Sequence, residues 1–425
     1  SSYKDSGVEW IGEVPSEWEC LRGRFLFENK KIINKEFQCE NLLSLTLFGV
    51  LNKNMESHKG LRPSNYKTYQ LFEKDDLVFK LIDLENVKTS RVGLVHENGI
   101  MSPVYIRLEP NKNSHSKYNY YYFYDLYKKE IFNFLGSGVR SSLSPSDLLE
   151  IEVPVPPLHE QQQISDYLDY KTSKIDILIE KTEQKIELLK EQRTSLINTT
   201  VTKGLNPNVE MKDSGVEWIG EIPSKWKTTR LKYIFKLREE KTDTGEGELL
   251  TVTITKGIVR RRDFIKKGDH LSRSKSLKGY KVCYTNDLVN NIMKMGFRCL
   301  GISDYNGIVS PAYSVFSFIN NKNKPMYWDY LLRTDLYVTE YKKRSKGIQE
   351  SRMRLYDDYF LDIVSIVPPH QEQQQIVDYL DKENSKLDKL IDIESKRIKL
   401  LKEYRQSLIS DVVTGKVDVR DEVLG

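Results

Sequence analysis

Residues 4–13 read Lys-Asp-Ser-Gly-Val-Glu-Trp-Ile-Gly-Glu, and residues 212–221 repeat the same letters, so this chain contains itself twice. The copies continue beyond that segment. Pro15, Ser16 and Trp18 recur as Pro223, Ser224 and Trp226, and Gly99, Ser102, Pro103 and Tyr105 recur as Gly307, Ser310, Pro311 and Tyr313, all at an offset of 208. Farther along the offset becomes 212: Pro156-Pro157, Glu160-Gln161-Gln162-Gln163-Ile164 and Asp166-Tyr167-Leu168-Asp169 recur from Pro368, Glu372 and Asp378. A period this long is not that of a solenoid; each copy is a domain-sized unit with its own core.

Each copy opens with short apolar runs broken by Gly, Asn, Ser and Pro. Val50, Val78, Val92, Val104 and Ile106 sit in strand-like runs and predict an α/β (α+β) body. After each Pro-Pro pair the chain runs without Gly or Pro to Gly204 or Gly415. Proline before and glycine after is helix punctuation. The boundaries that follow are bodies over 1–155 and 206–367, and helical spacers over 156–205 and 368–425.

Leu168, Thr172, Ile175, Ile179, Thr182, Ile186, Leu189, Arg193 and Leu196 alternate by 4 and 3, and the same spacing gives Leu380, Asn384, Leu387, Ile391, Glu394, Ile398, Leu401, Arg405 and Leu408. An apolar seam on this spacing needs a partner stripe, and the other copy's helix supplies one in an antiparallel coiled coil. Two helices each packed on its own body fit the spacing too. About 40 residues at ~1.5 Å each make a rod of roughly 60 Å. The repeat order also makes residues 417–425 the equivalent of the connector 205–211 and places the C-terminus near Tyr3 and Lys4.

Charge is unevenly spread. Lys+Arg against Asp+Glu is 20 to 21 over residues 1–155, 7 to 8 over 156–205, 29 to 20 over 206–367 and 10 to 12 over 368–425. The excess lies in the second body, in Arg260-Arg261-Arg262, Lys266-Lys267, Arg273, Lys275, Lys278, Lys281, Lys342-Lys343-Arg344 and Lys346, a footprint suited to phosphates.

No apolar run reaches the ~18 residues that span a bilayer, and the first residues lack the form of a secretory signal, so a cytoplasmic location is expected. Cys20, Cys39, Cys283 and Cys299 stand alone, without zinc or disulfide spacing. No phosphate-cradling loop, nucleophile elbow or metal helix is present. Gly136-Ser137-Gly138 reads as a turn, and His159 is replaced by Gln371 in the duplicate. The sequence therefore predicts no catalytic residue, no metal and no cofactor held by this chain.

Two similar bodies on paired helices can meet two sites on one face of duplex DNA, which recur every ~34 Å. Residues 31–90 and 240–290 align poorly while the framing segments align well, so two different readers share one frame. Variable body, Pro-Pro-x-x-Glu-Gln-Gln-Gln-Ile helix, second body and second helix resemble, over essentially the whole chain, the specificity subunit of a type I restriction-modification system. Ser-Gly-Val-Glu-Trp-Ile-Gly-Glu at both starts, Val153-Pro154-Val155-Pro156-Pro157-Leu158 and Ile366-Val367-Pro368-Pro369, Leu188-Leu189-Lys190-Glu191-Gln192-Arg193 and its counterpart from Leu400, and Val201-Thr202-Lys203-Gly204 and Val413-Thr414-Gly415-Lys416 carry the resemblance.

The resemblance implies two target recognition domains reading a bipartite asymmetric double-stranded DNA sequence. It also implies helices that fix the gap, two modification (methyltransferase) subunits and restriction (translocase/endonuclease) subunits. S-adenosylmethionine, ATP and Mg would belong to those partners. No base contact carries over by motif, so candidates rest on chemistry: Arg and Lys for guanine and phosphate, Asn and Gln for adenine. They are Lys53, Lys59, Arg62, Lys67, Lys80, Lys88, Arg91 and Arg140 in the first body. In the second they are Arg260, Arg261, Arg262, Lys266, Lys267, Lys275, Lys278, Lys294, Arg298, Lys343, Arg344, Lys346, Gln349 and Arg352. Arg140 and Arg352 occupy equivalent positions. The tyrosines from Tyr118 to Tyr127 read as a helix on a sheet. A partner-free two-domain DNA-binding or scaffold protein is the competing reading; a fused methyltransferase would need Asn/Asp-Pro-Pro-Tyr/Phe, which is missing.

Overall fold

The strand before each Pro-Pro pair returns to the start of its own copy and closes the body. In the computed structural model, which describes residues 2–53, 66–84, 89–136, 142–265, 276–347 and 353–422, Glu152–Val155 pairs antiparallel with Glu19–Arg22, and Val364–Val367 with Lys227–Arg230. Each body is built on a four-stranded sheet. The first runs Phe27–Asn29, Ile106–Pro110, Leu77–Phe79, Val92–Leu94; the second runs Phe235–Leu237, Tyr313–Phe318, Leu288–Asn291, Leu300–Ile302. The strand order is the same in both, and every ladder within the sheets is antiparallel, which makes the bodies α+β.

Helix Ser116–Lys128 covers the first sheet and buries Tyr118, Tyr122, Phe123 and Leu126; its counterpart Pro325–Leu332 buries Tyr327, Trp328, Leu331 and Leu332. Val50, Val78, Val92 and Ile106 lie in strands, but Val104 does not. Pro103 cannot donate to a ladder, and the chain turns there: the Tyr105 amide donates to the Ser102 carbonyl at 3.1 Å, leaving Val104 exposed.

The chain separates into two units, Ser1–Glu183 with Ser395–Gly425, and Gln184–Glu394. The long helices, Leu158–Lys203 and His370–Val413, each give one part to either unit. In the first unit Ile164, Leu168, Ile175 and Ile179 share a core with Leu408, Ile409, Val412 and Val413, and with Trp18, Phe27 and Phe79 of the body. In the second, Ile376 and Leu380 share one with Val201, Trp226 and Trp328, and Leu196 packs against it. Of the seam positions, Leu168, Ile175, Ile179, Ile186, Leu380, Leu387 and Leu408 are buried, while Leu189, Leu196, Ile391, Ile398 and Leu401 are half-buried.

Ion pairs show the helix direction inside each unit. Arg405 reaches Asp176 at 2.9 Å and Lys402 reaches Glu183 at 3.7 Å in the first; Lys185 reaches Glu394 at 2.5 Å and Arg193 reaches Asp388 at 2.7 Å in the second. One number falls as the other rises, so the segments run antiparallel. Pairs this exposed contribute up to about 1 kcal/mol each, against roughly 1.5–3 kcal/mol for each buried seam side chain. Packing holds the helices together; the charges set their register.

The seam turns polar where a body docks. The Tyr121 hydroxyl donates to Asp169 at 2.8 Å and lies 3.3 Å from the Thr172 hydroxyl. At the equivalent place the Tyr330 hydroxyl donates to Asp381 at 2.6 Å and accepts from Asn384 at 3.2 Å.

The Glu-Gln-Gln-Gln run is likewise structural. Glu372 accepts from Trp226 Nε1 at 2.9 Å, and Glu160 stands at the equivalent place in the first unit. Gln161 accepts from the His115 amide at 2.8 Å and donates to Pro156 O at 2.9 Å. Gln373 accepts from the Lys324 amide and donates to Pro368 O, both at 3.0 Å. Each therefore ties the first turn of its body's helix to the Pro-Pro corner. Helix ends are fixed as well: the Tyr118 hydroxyl shares its one proton between Pro154 O at 2.8 Å and Val413 O at 3.0 Å, and Tyr327 donates to Val201 O at 3.1 Å. Gly204 and Gly415 cap those helices at φ +80° and +73°, and a Cβ on Gly415 would stand 2.4 Å from Pro15 Cδ. At that cap Tyr3 donates to Gly415 O at 3.1 Å, and past it Arg420 pairs with Glu17 at 3.5 Å, so the described residues after the second helix lie beside the opening segment of the first body; the last three residues lie outside the described residues.

Two outcomes follow. Gln373→Leu leaves an amide and a carbonyl buried without partners, and lowers stability in denaturant melts by about 2 kcal/mol. His115 caps its helix through Nδ1, which accepts from the Tyr118 amide. Burial holds this imidazole below its ordinary value. The neutral form is thus favoured in the fold, and stability is lost as pH falls from about 6.5. His115→Asn keeps a capping acceptor and removes that part of the pH dependence, measured by thermal melts from pH 7.5 to 5.

Candidate nucleic-acid interface

Many of the candidate cations lie in the segments that differ most between the copies, and a hairpin stands in each of these segments. In the second body Leu250–Thr253 pairs with Gly257–Arg260. The hairpin ends on Arg260, whose guanidinium lies 4.7 Å above the Tyr305 ring. Arg261 opens the 3-10 turn Arg261–Asp263, and Arg262 pairs with Glu248 at 3.0 Å while remaining half exposed. The hairpin tip is held from below, since Arg333 donates to Ile254 O at 3.0 Å, Thr255 O at 3.1 Å and Leu300 O at 2.6 Å.

A second basic group gathers around the turn Met295–Phe297 and the end of helix Asp335–Arg344. Lys294 and Lys343 are exposed. Arg298 is bound to Asp335, Arg344 donates to Glu340 at 2.5 Å, and Lys346 lies 4.4 Å above Tyr359. Lys278 is exposed beyond the hairpin. Among the described residues, Lys278, Lys294 and Lys343 have no ion-pair partner, which leaves their ammonium groups available to phosphates. Lys266, Lys267, Lys275, Gln349 and Arg352 lie outside the described residues.

The first body presents fewer cations. Lys53 follows the hairpin Leu43–Thr46/Gly49–Asn52 and is exposed, as is Lys67 in the turn Tyr66–Thr68. Lys80 is half-buried and donates to the Thr89 hydroxyl at 3.1 Å. Arg91 is not at the surface. It is 2% exposed, and its guanidinium donates to Asp83 O at 2.7 Å and Leu84 O at 2.8 Å. The carbonyls of a tight loop need donors once buried, and this arginine supplies them, so it organises the loop where a phosphate contact was expected. Lys59, Arg62, Lys88 and Arg140 lie outside the described residues.

Two other arginines have structural work that charge counting does not reveal. Asp76 accepts from the Glu73 amide at 2.6 Å and pairs with Arg107 at 2.6 Å; Asp287 accepts from the Tyr284 amide at 2.8 Å and pairs with Arg238 at 2.8 Å. The acid is common to both copies, whereas its arginine comes from a different place in each. Sequence reasoning also passed over the exposed apolar residues of these regions: Phe48 at the first hairpin tip is 89% exposed, and Met293 and Phe297 stand exposed amid the second basic group. Leu47-Phe48-Gly49, apolar residues at a turn glycine, was the available signal.

A family model described as the type I restriction modification DNA specificity domain matches residues 15–188 and 223–403. A curated protein called the type I restriction enzyme MjaVIII specificity subunit, from Methanocaldococcus jannaschii, is 25% identical over 346 residues, covering 76% of either chain. A putative MjaX specificity subunit from the same organism is 33% identical over 245 residues, 52% of this chain and 53% of that one. Among solved structures, a chain from a study of complex assembly and conformational transition in a type I R-M system has a TM-score of 0.62 at 13% identity, covering 95% of this chain and 99% of that one. The HsdS subunit from Thermoanaerobacter tengcongensis gives 0.52 at 14%, covering 95% and 98%. These likenesses show a shared fold.

Arg91→Ala and Lys343→Ala separate structural from phosphate-facing cations. The first lowers stability by about 2–3 kcal/mol through unpaired carbonyls. The second leaves the melt unchanged and reduces the slope of log affinity for DNA against log salt by about 0.9.

Proposed function

This chain belongs to the type I restriction-modification DNA specificity family, and from that membership we propose that it directs a modification and restriction complex to one bipartite, asymmetric DNA sequence. The observation that carries this reading is a frame repeated contact for contact beneath two readers that are not repeated. The Gln bridge and the body tyrosine at a helix end occur in both units, while the cations on the hairpins and basic turns differ. Different readers on equivalent supports suit two unlike half-sites.

The helices serve as the spacer that fixes the number of base pairs between half-sites. The repeated exposed residues of the opening motif, Lys4, Asp5, Glu9 and Glu13 with Lys212, Asp213, Glu217 and Glu221, suit identical sites on two copies of one partner. That partner is the modification subunit, which brings S-adenosylmethionine and methylates adenine at N6; extruding the base from the stack falls to it as well. Restriction subunits bring ATP, Mg and cleavage. The chain itself supplies position and sequence choice, in the cytoplasm where the DNA lies.

Methylome sequencing of a host without its own systems, expressing this chain with its cognate modification subunit, tests the reading. One new N6-methyladenine motif, made of two dissimilar halves around a fixed gap and absent with the modification subunit alone, is the expected result. A stable complex without any new motif supports instead a non-enzymatic DNA-binding or scaffold protein.

A further inference from the structure

In the second unit, Met293, Gly296, Phe297, Lys342, Ser345 and Met353 line a small cavity of about 50 Å³. Its walls come from two elements: the turn Met295–Phe297 and the segment that leaves helix Asp335–Arg344. They are fixed to one another, because the Leu355 amide donates to Ile292 O at 3.0 Å. Gly296 leaves no spare room, since a Cβ there would stand 3.0 Å from Lys342 Cγ. Met293 and Phe297 are 38% and 47% exposed at the mouth.

The surroundings are cationic. Lys294, Lys342 and Lys343 are exposed and lack ion-pair partners among the described residues, while the neighbouring acids Asp335 and Glu340 are taken by Arg298 and Arg344. A cavity walled by Met293, Phe297 and Met353, with Lys342 and Ser345 also in its lining and unpaired lysines around it, fits a ligand that is polyanionic outside and apolar at one point. Its volume excludes a base or nucleotide, which need a site of about 300 Å³ or more, but admits one methyl group. In duplex DNA the group of that size and character is the C5-methyl of thymine in the major groove, read by apolar contact.

We propose that Met293 and Phe297 form a methyl pocket that reads a thymine in the half-site assigned to the second unit, making them specificity-determining residues. The proposal rests on the DNA-recognition reading above. The chemistry is contact alone: deoxyuridine, which lacks the methyl, preserves every hydrogen-bonding edge and loses only this interaction.

The complex with its modification subunit is assembled on its target duplex, and each thymine of that half-site is replaced in turn by deoxyuridine, with affinity read by fluorescence anisotropy. One position should weaken binding about fourfold, as expected for one buried methyl-sized group. Phe297→Ala, and separately Met293→Ala, should bind thymine and uracil duplexes equally while keeping the wild-type salt slope; both side chains are partly exposed, so the fold tolerates their loss. A half-site insensitive to every replacement, one without thymine on either strand, or sensitivity unchanged in the variants overturns the proposal. So does a Phe297→Ala variant that fails to assemble with the modification subunit, which would make the cavity a protein contact. Loss of sequence-specific binding by the wild-type complex would instead refute the DNA-recognition reading itself.

Discussion

The capture of a long helix's last turn by a body's buried tyrosine is the contact on which the architecture depends. Val413 O and Val201 O are helix-end carbonyls that have no partner within their helices; from fully buried positions Tyr327 donates to Val201 O, and Tyr118 bridges Val413 O to Pro154 O of its own body with one shared proton. Their hydroxyls could not be left alone in such cores without a cost of about 1–3 kcal/mol. Each helix must therefore end where its tyrosine waits, with glycine following because the turn after the cap needs a positive φ and passes close to Pro15 or Pro223. Helix length, helix end and body are set together. This is why residues distant in sequence, such as Trp18 and Val412, belong to one core.

A fixed frame allows the rest to diverge. The buried acid of each body shows how far: Asp76 and Asp287 both brace a turn through its backbone amide, yet one takes its arginine from Arg107 and the other from Arg238. A buried carboxylate requires a partner but not a particular strand to bring it. Positions released from this duty are then free for other chemistry. In the first body Lys30 stands on the edge strand's side and pairs with Glu28 and Glu109 at the surface, where the second has Arg238. Similarly, the second hairpin tip is tied by Arg333 to a helix end, and Tyr124 of the first body sits instead 5.9 Å from Arg405 of the helix seam.

The duplication made the frame legible. Repeated Trp18, Glu160, Gln161 and Gly204 positions, a 4–3 seam and Pro/Gly punctuation each have a local or periodic signature, and the structure gives each a contact. The seam's polar positions were visible too, but not their cause: Thr172 and Asn384 answer Tyr121 and Tyr330, which only the fold brings near. The cation candidates were less legible. A sequence shows that Arg91 is charged but not that it bonds Asp83 O and Leu84 O, and Arg107 and Arg238 gave no sign of being the partners of the buried Asp76 and Asp287. Runs such as Arg260-Arg261-Arg262 look uniform in sequence, whereas geometry divides them into a stacked side chain, a turn residue and an ion-paired one.

That division bears on how such a protein distinguishes sequence from mere polyanion. An arginine already stacked or paired, like Arg260 or Arg262, is held in one geometry, and orientation is what a directional contact to a base edge requires. An unpaired lysine on a flexible stem, like Lys278 or Lys343, contributes charge wherever it points and suits phosphate. The two kinds alternate across the second body. The first has an exposed Phe48 at its hairpin tip and no net positive charge over residues 1–155, so the positive balance is concentrated in the second. Within the second body, then, charge and held orientation are divided between different side chains rather than combined in each.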